Sequence, residues 1–216
     1  MRTSNESVRD IRKDYTQEEL HENDVAPSPY VQFQKWMDAA IESEVPEPNA
    51  MSLSTAINGK PSTRIVLLRG FDENGFVFFT NYASRKGKEI LANPYVCLNF
   101  FWPELERQVR IEGSISKTSS EVSDEYFNSR PRGNRLGAWA SPQSEVIPNR
   151  EEIERLTRVF EAKFPSESPI PRPPHWGGYL VKPELIEFWQ GRASRLHDRI
   201  CFKKMNDLWQ IQRLAP

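Results

Sequence analysis

The chain has 216 residues, 38% of them hydrophobic, and its 29 Lys and Arg nearly balance 30 Asp and Glu, giving a formal net charge of −1. This length allows one domain with a real buried core, and the balanced charge argues against a nucleic-acid partner, which usually demands a basic excess. No apolar run reaches the roughly 18 residues of a membrane span and no secretory signal is present, so we expect a soluble, cytoplasmic protein without a membrane partner.

The first 28 residues are rich in charge and poor in apolar side chains. Such a composition does not order by itself, so we predict a flexible N-terminal segment over 1–28 and a single domain over 29–216. The segment is either a disordered tail or a flap that orders on something else. A helix is predicted to begin at the N-cap and first-turn pair Ser28 and Pro29. Apolar residues follow at helical spacing and are expected in the core: Phe33, Trp36, Met37, Ala40 and Ile41.

From residue 50 the hydrophobic period becomes that of strands. The stretch 51–71 is predicted to form two strands joined by the turn Asn58-Gly59, a strong hairpin signal. The turn 72–75 leads to another strand, and two more strands flank a turn at Pro103. Between them, a short helix is predicted to begin near Ser84 and to end before Pro94.

Two capping boxes, Thr118 with Glu121 and Asn149 with Glu152, predict further helices. After a proline-rich connector the sequence predicts four more strands, at 176–181, 185–191, 199–204 and 208–214. Seven to nine strands linked mostly by hairpins favour an antiparallel barrel or closed sheet, within a mainly β fold that also contains helices (α+β). The two cysteines, Cys97 and Cys201, lack metal or redox spacing and are predicted to be reduced core residues.

The sequence lacks the common catalytic and nucleotide-binding motifs. It contains no GxGxxG, GxxxxGK[ST], HExxH, GxSxG or CxxC motif, so dinucleotide-fold, P-loop, zinc and catalytic-triad interpretations have no support, and no metal is expected. Cations remain at strand and loop positions: Arg64, Arg69, Arg85, Lys86, Arg107, Arg110, Arg130, Arg132 and Arg135. Each cluster alone is better explained as a solvated face or a surface ion pair. Several clusters together suggest more than one anionic group, since arginine suits phosphate and carboxylate.

Several stretches carry a resemblance to one enzyme family. They are 64–90, 106–113, 126–144 (YFNSRPRGNRLGAWASPQS), 174–179, 186–199 (IEFWQGRASRLHDR) and 213–216. Together they resemble the pyridoxine (pyridoxamine) 5'-phosphate oxidase family, FMN-dependent enzymes that make pyridoxal 5'-phosphate. The match runs in order from about residue 11 to the last residue. The resemblance implies an antiparallel FMN-binding split β-barrel and a homodimer with FMN between the subunits.

The resemblance also implies which residues contact FMN. Carried over by position, they are Arg64, Ile65, Val66, Leu67, Leu68, Arg69, Phe79, Thr80, Arg85, Lys86, Gln108, Gln143, Ser144, Trp189 and Arg199. Arg64 and Lys86 are the natural phosphate cations, while amide and backbone groups suit the edge of the flavin ring. For Trp189 a packing role in the core remains an alternative.

A second phosphate ester, the substrate, accounts for the remaining cations in this family pattern. Its phosphate is expected at Arg69, Tyr126, Arg130 and Asn134, and its pyridine ring at Arg195, Leu196 and His197. Residues Arg12, Lys13, Asp14 and Tyr15 are expected to form a lid that excludes water. Arg69 and Asn134 stand where lysine and serine are common in bacterial members, which puts the substrate affinity in doubt.

The reaction implied by the resemblance is oxidation of the 4' carbon of pyridoxine 5'-phosphate or pyridoxamine 5'-phosphate by hydride transfer to the flavin. Oxygen then reoxidises the flavin and gives hydrogen peroxide, with ammonia from the amine. Arg195 and His197 are the expected catalytic residues: Arg195 would orient the ring, and His197 would hydrogen-bond near the 4' substituent or assist proton removal. The sequence assigns no role to Arg192, and Asp198 can simply pair with a neighbouring arginine.

Three alternatives remain open from other classes. The first is a split-barrel protein that carries FMN or pyridoxal phosphate without oxidase activity; the substrate-side set Tyr126, Arg130, Arg195 and His197 argues against it. The second is a flavin reductase, which would not need a second phosphate cluster. The third is a nucleic-acid-binding barrel that uses aromatic residues and basic loops, which the balanced charge disfavours.

Overall fold

The computed structural model describes residues 8, 10, 11 and 13–216, so the predicted lid residue Arg12 lies outside the described residues. In chain order the described elements are α1 (Pro29–Glu42), β1 (Ala50–Ile57), β2 (Lys60–Leu67), β3 (Gly70–Asp72), β4 (Gly75–Asn81), α2 (Arg85–Ala92), β5 (Tyr95–Trp102), β6 (Arg107–Lys117), α3 (Ser120–Ser129), α4 (Arg132–Ala140), α5 (Arg150–Lys163), β7 (Trp176–Gln190), a 3-10 turn (Ala193–Arg195), β8 (Asp198–Met205) and β9 (Leu208–Arg213). None of the helices in this described part combines the length and apolar character needed to cross a bilayer.

The chain divides into two compact units. The first unit contains the described residues up to Pro48 together with Asn99–Ile111 and Leu185–Pro216, and the second contains Asn49–Leu98 and Glu112–Glu184. The sheet has the strand order β2-β1-β5-β6-β7-β4-β3, and β8 joins β7 and β9. The registers of the β1–β2, β3–β4, β4–β7, β7–β8 and β8–β9 pairs are all antiparallel.

In the first unit, α1 packs on the strands through one apolar face. Ser28 is its N-cap and Pro29 its first residue, as the sequence predicts. The Phe33 ring lies 5.2 Å from that of Phe100, and the Trp36 ring lies 5.2 Å from that of Phe188. Ile41, expected in the core, is instead 57% exposed. With 3.6 residues per turn, Ile41 lies at the edge of the face formed by residues 33, 36, 37 and 40, which explains its exposure.

In the second unit, the predicted hairpin turn at Asn58-Gly59 is confirmed. Ile57 pairs with Lys60, so the two turn residues alone connect β1 to β2, and both have positive φ, 50° for Asn58 and 74° for Gly59. These angles match a type I′ turn, whose twist suits antiparallel strands. The turn fixes the register of β2, which carries residues 65–67 to the cavity described below.

The prediction of separate strands at 176–181 and 185–191 is wrong, because β7 runs unbroken from Trp176 to Gln190. Residues 176–181 pair with β4 and residues 185–190 pair with β8. Pro183 falls between these two stretches, so its missing N–H interrupts neither ladder. Proline in such a position leaves an extended strand intact.

Helix starts were predicted with mixed success. The caps of α2 at Ser84 and of α5 at Asn149 are confirmed, each side chain accepting a backbone N–H. Helix α3 is capped by Ser119, not by Thr118, whose hydroxyl lies 3.0 Å from that of Ser123. Helix α4 was not predicted, because its two glycines weaken the helical signal.

Candidate functional site

The second unit contains a cavity of about 650 Å³. Many of the sequence-predicted ligand residues line it: Ile65, Val66, Leu67, Arg69, Phe79, Thr80, Lys86, Tyr126, Arg130, Asn134 and Gln143. They come from β2, β4, α2, α3, α4 and the segments that follow them. The cavity therefore gathers most of the residues expected at FMN together with those expected at the substrate phosphate.

Three stacked aromatic rings form one side of this cavity. The ring of Phe79 lies 4.0 Å from that of Tyr126 and 5.6 Å from that of Trp176, both nearly parallel to it. The guanidinium carbon of Arg130 lies 4.6 Å from the centre of the Trp176 ring, and that of Arg69 lies 5.8 Å from the Tyr126 ring. Aromatic faces attract these cations without neutralising them, so their charge remains available to an anion.

The guanidinium of Arg130 has a donor that lacks an acceptor. Its Nη1 is buried and has no hydrogen-bond partner within the described part of the chain. Burial lowers the pKa of Arg130, and the neighbouring charge of Arg69 lowers it further, although Tyr126 acts in the opposite direction. Leaving a buried charged donor unpaired costs about 1–3 kcal/mol or more. A phosphate in the cavity would remove that cost.

Lys86 supplies a second cation to the cavity. Its Nζ donates to Gln143 Oε1 at 2.9 Å, Thr80 Oγ1 at 3.1 Å and Ser84 Oγ at 3.4 Å, all neutral acceptors. Burial lowers the pKa of Lys86, and the charge of Arg64 adds to that effect. In the described residues no carboxylate forms an ion pair with Lys86. The ammonium is thus held in place by neutral groups, with the charge of Glu89 acting on it only from a distance.

Unlike Lys86, Arg64 and Arg85 both pair with a carboxylate. Arg64 Nη2 donates to Glu89 Oε2 at 2.8 Å, and Arg85 Nε donates to Glu89 Oε1 at 2.8 Å. Burial opposes ionisation of Glu89, but hydrogen bonds from Thr55 and both arginines outweigh it and lower the pKa of the carboxyl. The structure therefore places Arg64 in an ion pair and not on the cavity wall, where a phosphate cation was expected.

Two other predicted FMN residues of the second unit also lie outside the cavity. The backbone N–H of Leu68 donates to the Asn49 carbonyl at 2.8 Å, and its side chain is buried. Ser144 has a φ of 74° and lines a separate cavity of about 280 Å³ together with Arg85.

The first unit contains a second cavity, of about 600 Å³. It is lined by Ile11, Lys13, Asp14, Tyr15, Arg192, Ser194, Arg195 and His197. The expected lid residues that the structure describes therefore share this cavity with the two expected catalytic residues. Leu196 does not line it and is 69% exposed.

A backbone hydrogen bond selects the tautomer of the His197 imidazole. The Arg192 N–H donates to its Nδ1 at 3.1 Å, which assigns the hydrogen of the neutral imidazole to Nε2. Burial lowers the pKa of His197, and the charge of Arg195 lowers it further. The imidazole ring lies 4.5 Å from the Trp189 ring and 5.9 Å from the Tyr15 ring. It is therefore a neutral donor, with its free N–H at Nε2.

Arg195 is presented by a strained turn. Ser194 and Arg195 both have positive φ, 56° and 62°, which costs non-glycine residues about 1–2 kcal/mol each. Such strain often accompanies function. No carboxylate within the described residues pairs with Arg195, although Arg192 nearby is bonded to Glu19 at 2.6 Å and Asp198 at 3.2 Å. Of these two arginines, Arg195 is the one whose charge is not already matched.

Trp189 and Arg199 are direct partners across β7 and β8. Arg199 Nε donates at 2.7 Å to Glu187, which is 2% exposed and also accepts from Arg110. Burial opposes ionisation of Glu187, but the bonds from the two arginines lower the pKa of its carboxyl. Gln108, also expected at FMN, lies half-buried in β6 and lines neither cavity.

Several residues that line the larger cavity were not among the sequence-predicted ones. They are Asn81, Ser129, Pro131, Gly133, Gly137, Ala138, Ser141 and Trp176. A signal for part of this set exists in the sequence: positions 130, 133, 134, 137, 138 and 141 recur at three- and four-residue spacing, as expected for one face of a helix. Because helix α4 was not predicted, this spacing was not recognised as one helix face.

Family models match most of the chain. Residues 37–162 match the model described as "Pyridoxamine 5'-phosphate oxidase", and residues 176–216 match "Pyridoxine 5'-phosphate oxidase C-terminal dimerisation region". Proteins named pyridoxine/pyridoxamine 5'-phosphate oxidase are similar to this chain over nearly its whole length. That of Cyanothece sp. is 56% identical over 97% of this chain and 99% of its own, and that of Actinobacillus pleuropneumoniae is 53% identical with the same coverage.

Solved structures agree with this assignment. PhzG from Burkholderia lata, in complex with tetrahydrophenazine-1-carboxylic acid, superposes with a TM-score of 0.84 at 28% identity, covering 90% of this chain and 95% of its own. A pyridoxamine 5'-phosphate oxidase-related, FMN binding protein from Nostoc punctiforme superposes with a TM-score of 0.70 at 20% identity, covering 89% of this chain and 100% of its own. The latter likeness concerns the fold alone. The chain belongs to the pyridoxamine 5'-phosphate oxidase family of oxidoreductases, with an antiparallel α+β split-barrel fold.

Proposed function

We propose that this protein oxidises pyridoxine 5'-phosphate and pyridoxamine 5'-phosphate to pyridoxal 5'-phosphate with FMN as cofactor. Oxygen is the electron acceptor and hydrogen peroxide a product, with ammonia released from the amine. The observation that carries the proposal is the larger cavity, where the cations Arg69, Lys86 and Arg130 are paired with no carboxylate of the described chain. Two phosphate esters, cofactor and substrate, match this excess of unpaired positive charge.

The donor set of the cavity fits FMN. Lys86, Thr80 and Gln143 would hold polar groups of the cofactor, and the backbone of residues 65–67 would face its ring. When bound, FMN would supply the redox chemistry by taking two electrons from the substrate and passing them to oxygen. Arg64 and Arg85 are proposed to contribute through their positive field, since both guanidinium groups are bonded to Glu89.

The substrate phosphate is proposed to bind at Arg69, Tyr126, Arg130 and Asn134. The unpaired Nη1 of Arg130 supports this assignment, as does the stacking of Tyr126 with Phe79, which fixes the position of the tyrosine ring. The positive charge of Arg69 contributes to the lowered pKa of Arg130. A doubly charged phosphate would relieve that repulsion.

Arg195 and His197 are proposed to act on the pyridine ring and its 4' substituent. Because Nδ1 of His197 already accepts the Arg192 N–H, the free Nε2–H is a donor and not a base. His197 would therefore orient the 4' oxygen or nitrogen by donating to it, a narrower role than proton removal. Arg195, held by its strained turn, would orient the ring and stabilise negative charge.

A homodimer is proposed as the working form, with FMN at the subunit interface. The match of residues 176–216 to a family region named for dimerisation supports it. Size-exclusion chromatography with light scattering should give about twice the 25.1 kDa mass of one chain. A monomer at working concentration would contradict this part of the proposal.

The proposed reaction is tested on the purified protein. We expect a yellow protein whose flavin absorbance bleaches when pyridoxine 5'-phosphate is added without oxygen, and which consumes oxygen when air is admitted. Arg195→Met should lower the turnover by about 100-fold while leaving the FMN content unchanged. Loss of flavin with an unchanged rate per bound flavin would show that Arg195 acts on the cofactor instead. Oxidation of NAD(P)H without pyridoxine 5'-phosphate would favour a flavin reductase.

A further inference from the structure

The cavity of the first unit owes part of its wall to the N-terminal part of the chain. Lys13, Asp14 and Tyr15 line it, and Thr16 and Gln17 follow directly. We call residues 13–17 the wall segment. Its structure is not that of a helix or a strand, so something other than a regular backbone ladder must fix it.

Glu106 supplies that fixation. Its Oε2 accepts the backbone N–H of Thr16 at 2.8 Å and that of Gln17 at 3.2 Å, and its Oε1 lies 3.5 Å from Lys13 Nζ. The carboxylate is 2% exposed, so water competes little for these bonds. Glu106 does not itself line the cavity. Its influence on a ligand there would pass through the wall segment.

The backbone of Glu106 connects the wall segment to residues 190–191, which directly precede the cavity residue Arg192. Its carbonyl accepts the Gly191 N–H at 2.7 Å and the Gln190 side-chain amide at 3.3 Å. Glu106 adopts this position with a φ of 55°, an unfavourable angle for a non-glycine residue. One residue therefore bonds to the wall segment by its side chain and to residues 190–191 by its main chain.

Gly191 provides the space that Tyr15 occupies. A Cβ atom at position 191 would lie 2.7 Å from Cδ2 and Cγ of Tyr15 and 2.8 Å from its Cβ, closer than real contacts allow. Seated there, the Tyr15 ring lies edge-on to Trp189 at 5.8 Å, and 5.9 Å from His197. Tyr15 can therefore occupy this position only because residue 191 has no side chain.

We propose that Glu106 is a positioning residue for the oxidation: it holds the wall segment so that Tyr15 sits on Gly191 beside His197. Neither Glu106 nor Gly191 was singled out by the sequence. The inference rests on the proposed function, because it takes the cavity that contains Arg195 and His197 as part of the substrate site. Glu106 would act on substrate binding and not on the chemical step, because it does not reach the reacting groups.

The first test is steady-state kinetics of Glu106→Gln with pyridoxine 5'-phosphate. Gln cannot accept both backbone N–H groups with a charged oxygen, so we expect KM to rise about tenfold, with kcat and FMN content nearly unchanged. Glu104→Gln is the matched control, because it removes the same charge from an exposed side chain two residues away. An equal rise of KM in Glu104→Gln would overturn the proposal, as would a fall in kcat with unchanged KM.

A double-mutant cycle tests whether Glu106 acts through Tyr15. Tyr15→Ala should raise KM, and adding Glu106→Gln should raise it little further. Gly191→Ala, which displaces Tyr15 without removing a hydrogen bond, should raise KM in the same way. An unchanged KM in Tyr15→Ala, or effects of Tyr15→Ala and Glu106→Gln that multiply, would sink the idea. Melting temperatures of all variants show whether any change reflects loss of folding.

Hydrogen exchange separates failure of this inference from failure of the proposed function. In the full-length flavoprotein, the amides of Thr16 and Gln17 should exchange at least about tenfold faster in Glu106→Gln than in the wild type or Glu104→Gln. That result supports the anchor even if pyridoxine 5'-phosphate is not oxidised, in which case the proposed function alone fails. Unchanged exchange of both amides would overturn the anchor whatever the enzyme oxidises.

Discussion

At the scale of single residues, the three arginines of the stretch 187–199 differ in whether a carboxylate pairs with them. Arg192 is bonded to Glu19 and Asp198, and Arg199 to Glu187, whereas Arg195 has no carboxylate partner in the described chain. The first two charges are therefore matched within the protein. Only the third is fully available to a ligand, and it is also the one held in a strained turn.

The neutral state of His197 gives a prediction for its titration. Burial and the charge of Arg195 hold its pKa below the ordinary value of about 6.5. Nuclear magnetic resonance of the three histidines, with His197→Gln for assignment, should show this directly. Arg195→Gln should raise the pKa part of the way back, because burial persists, while Arg158→Gln on the exposed face of α5 should leave it unchanged. A His197 that titrates at or above the ordinary value would contradict the structure.

The lowered pKa of His197 also makes the free energy of unfolding depend on pH. The folded protein disfavours the imidazolium, so on acidification the unfolded chain takes up a proton first. This residue therefore makes the free energy of unfolding fall as pH drops through and below the ordinary histidine range. His197→Gln should lose less stability than the wild type between pH 7.5 and 5.5, measured by urea unfolding. An equal or greater loss in His197→Gln would be inconsistent with a lowered pKa.

At the scale of elements, the β1–β2 hairpin depends on its turn. Positive φ at Gly59 is inexpensive only for glycine, and nothing lies within 4 Å of the position that a Cβ would take there. A change to alanine thus tests the backbone angle alone, without a steric clash. Gly70 in β3 is a matched control, since its surroundings are equally open and its φ is not in the left-handed region.

We expect Gly59→Ala to destabilise the protein by about 1 kcal/mol and Gly70→Ala to be neutral or slightly stabilising. Thermal unfolding should show a fall of about 2–4 °C for the first variant only. Equal melting temperatures for both variants would mean that the turn conformation is not the one described.

Sequence reasoning succeeded for elements whose signal is local. The turn at Asn58-Gly59 and the caps Ser84 and Asn149 each depend on a few neighbouring residues, and each was found. It failed where a distant partner decides. The continuity of β7 through Pro183 depends on which strands pair on either side, which the strand's own residues do not specify.

At the scale of the whole molecule, the nearly balanced charge conceals an uneven distribution. Glu89 pairs with Arg64 and Arg85, and Glu187 pairs with Arg110 and Arg199, but no described carboxylate pairs with the cations of the larger cavity. A net charge of −1 is thus compatible with a strongly positive cavity. Composition alone does not locate this field.

That distribution predicts how FMN stabilises the protein. At about 100 times its dissociation constant FMN should add about 2.7 kcal/mol, a rise of roughly 5–10 °C in Tm. Lys86→Met should lose most of this rise, because it removes a half-buried ammonium from the cavity lining. Lys88→Met should retain it, since Lys88 is exposed and paired with Glu145 at 2.8 Å. Equal shifts in the two variants, measured from the apoprotein, would remove Lys86 from the FMN site.

The sequence indicates which positions of the candidate site carry cations, but not which partner each cation takes in the folded chain. The resemblance named Arg64 and Lys86 together as phosphate cations, but only Lys86 lines the cavity. Glu89, which binds Arg64, lies 25 positions away in another element and gives no sign in the sequence of that pairing. Likewise Glu106 is the first residue of a predicted strand, and its own neighbours give no sign that it is buried and bonded to Thr16.

The bonds of Asp198 and Arg199 have a practical consequence for handling the protein. The Leu20 N–H donates to Asp198 at 3.1 Å, and Arg199 donates to the Ala215 carbonyl at 2.9 Å, so residues near opposite ends of the sequence bind adjacent positions of β8. A purification tag or fusion partner joined to Pro216 would be tethered one residue from the Ala215 bond, whereas one joined to residue 1 would be 19 residues from Leu20. Kinetic constants should therefore be compared before and after the tag is cleaved.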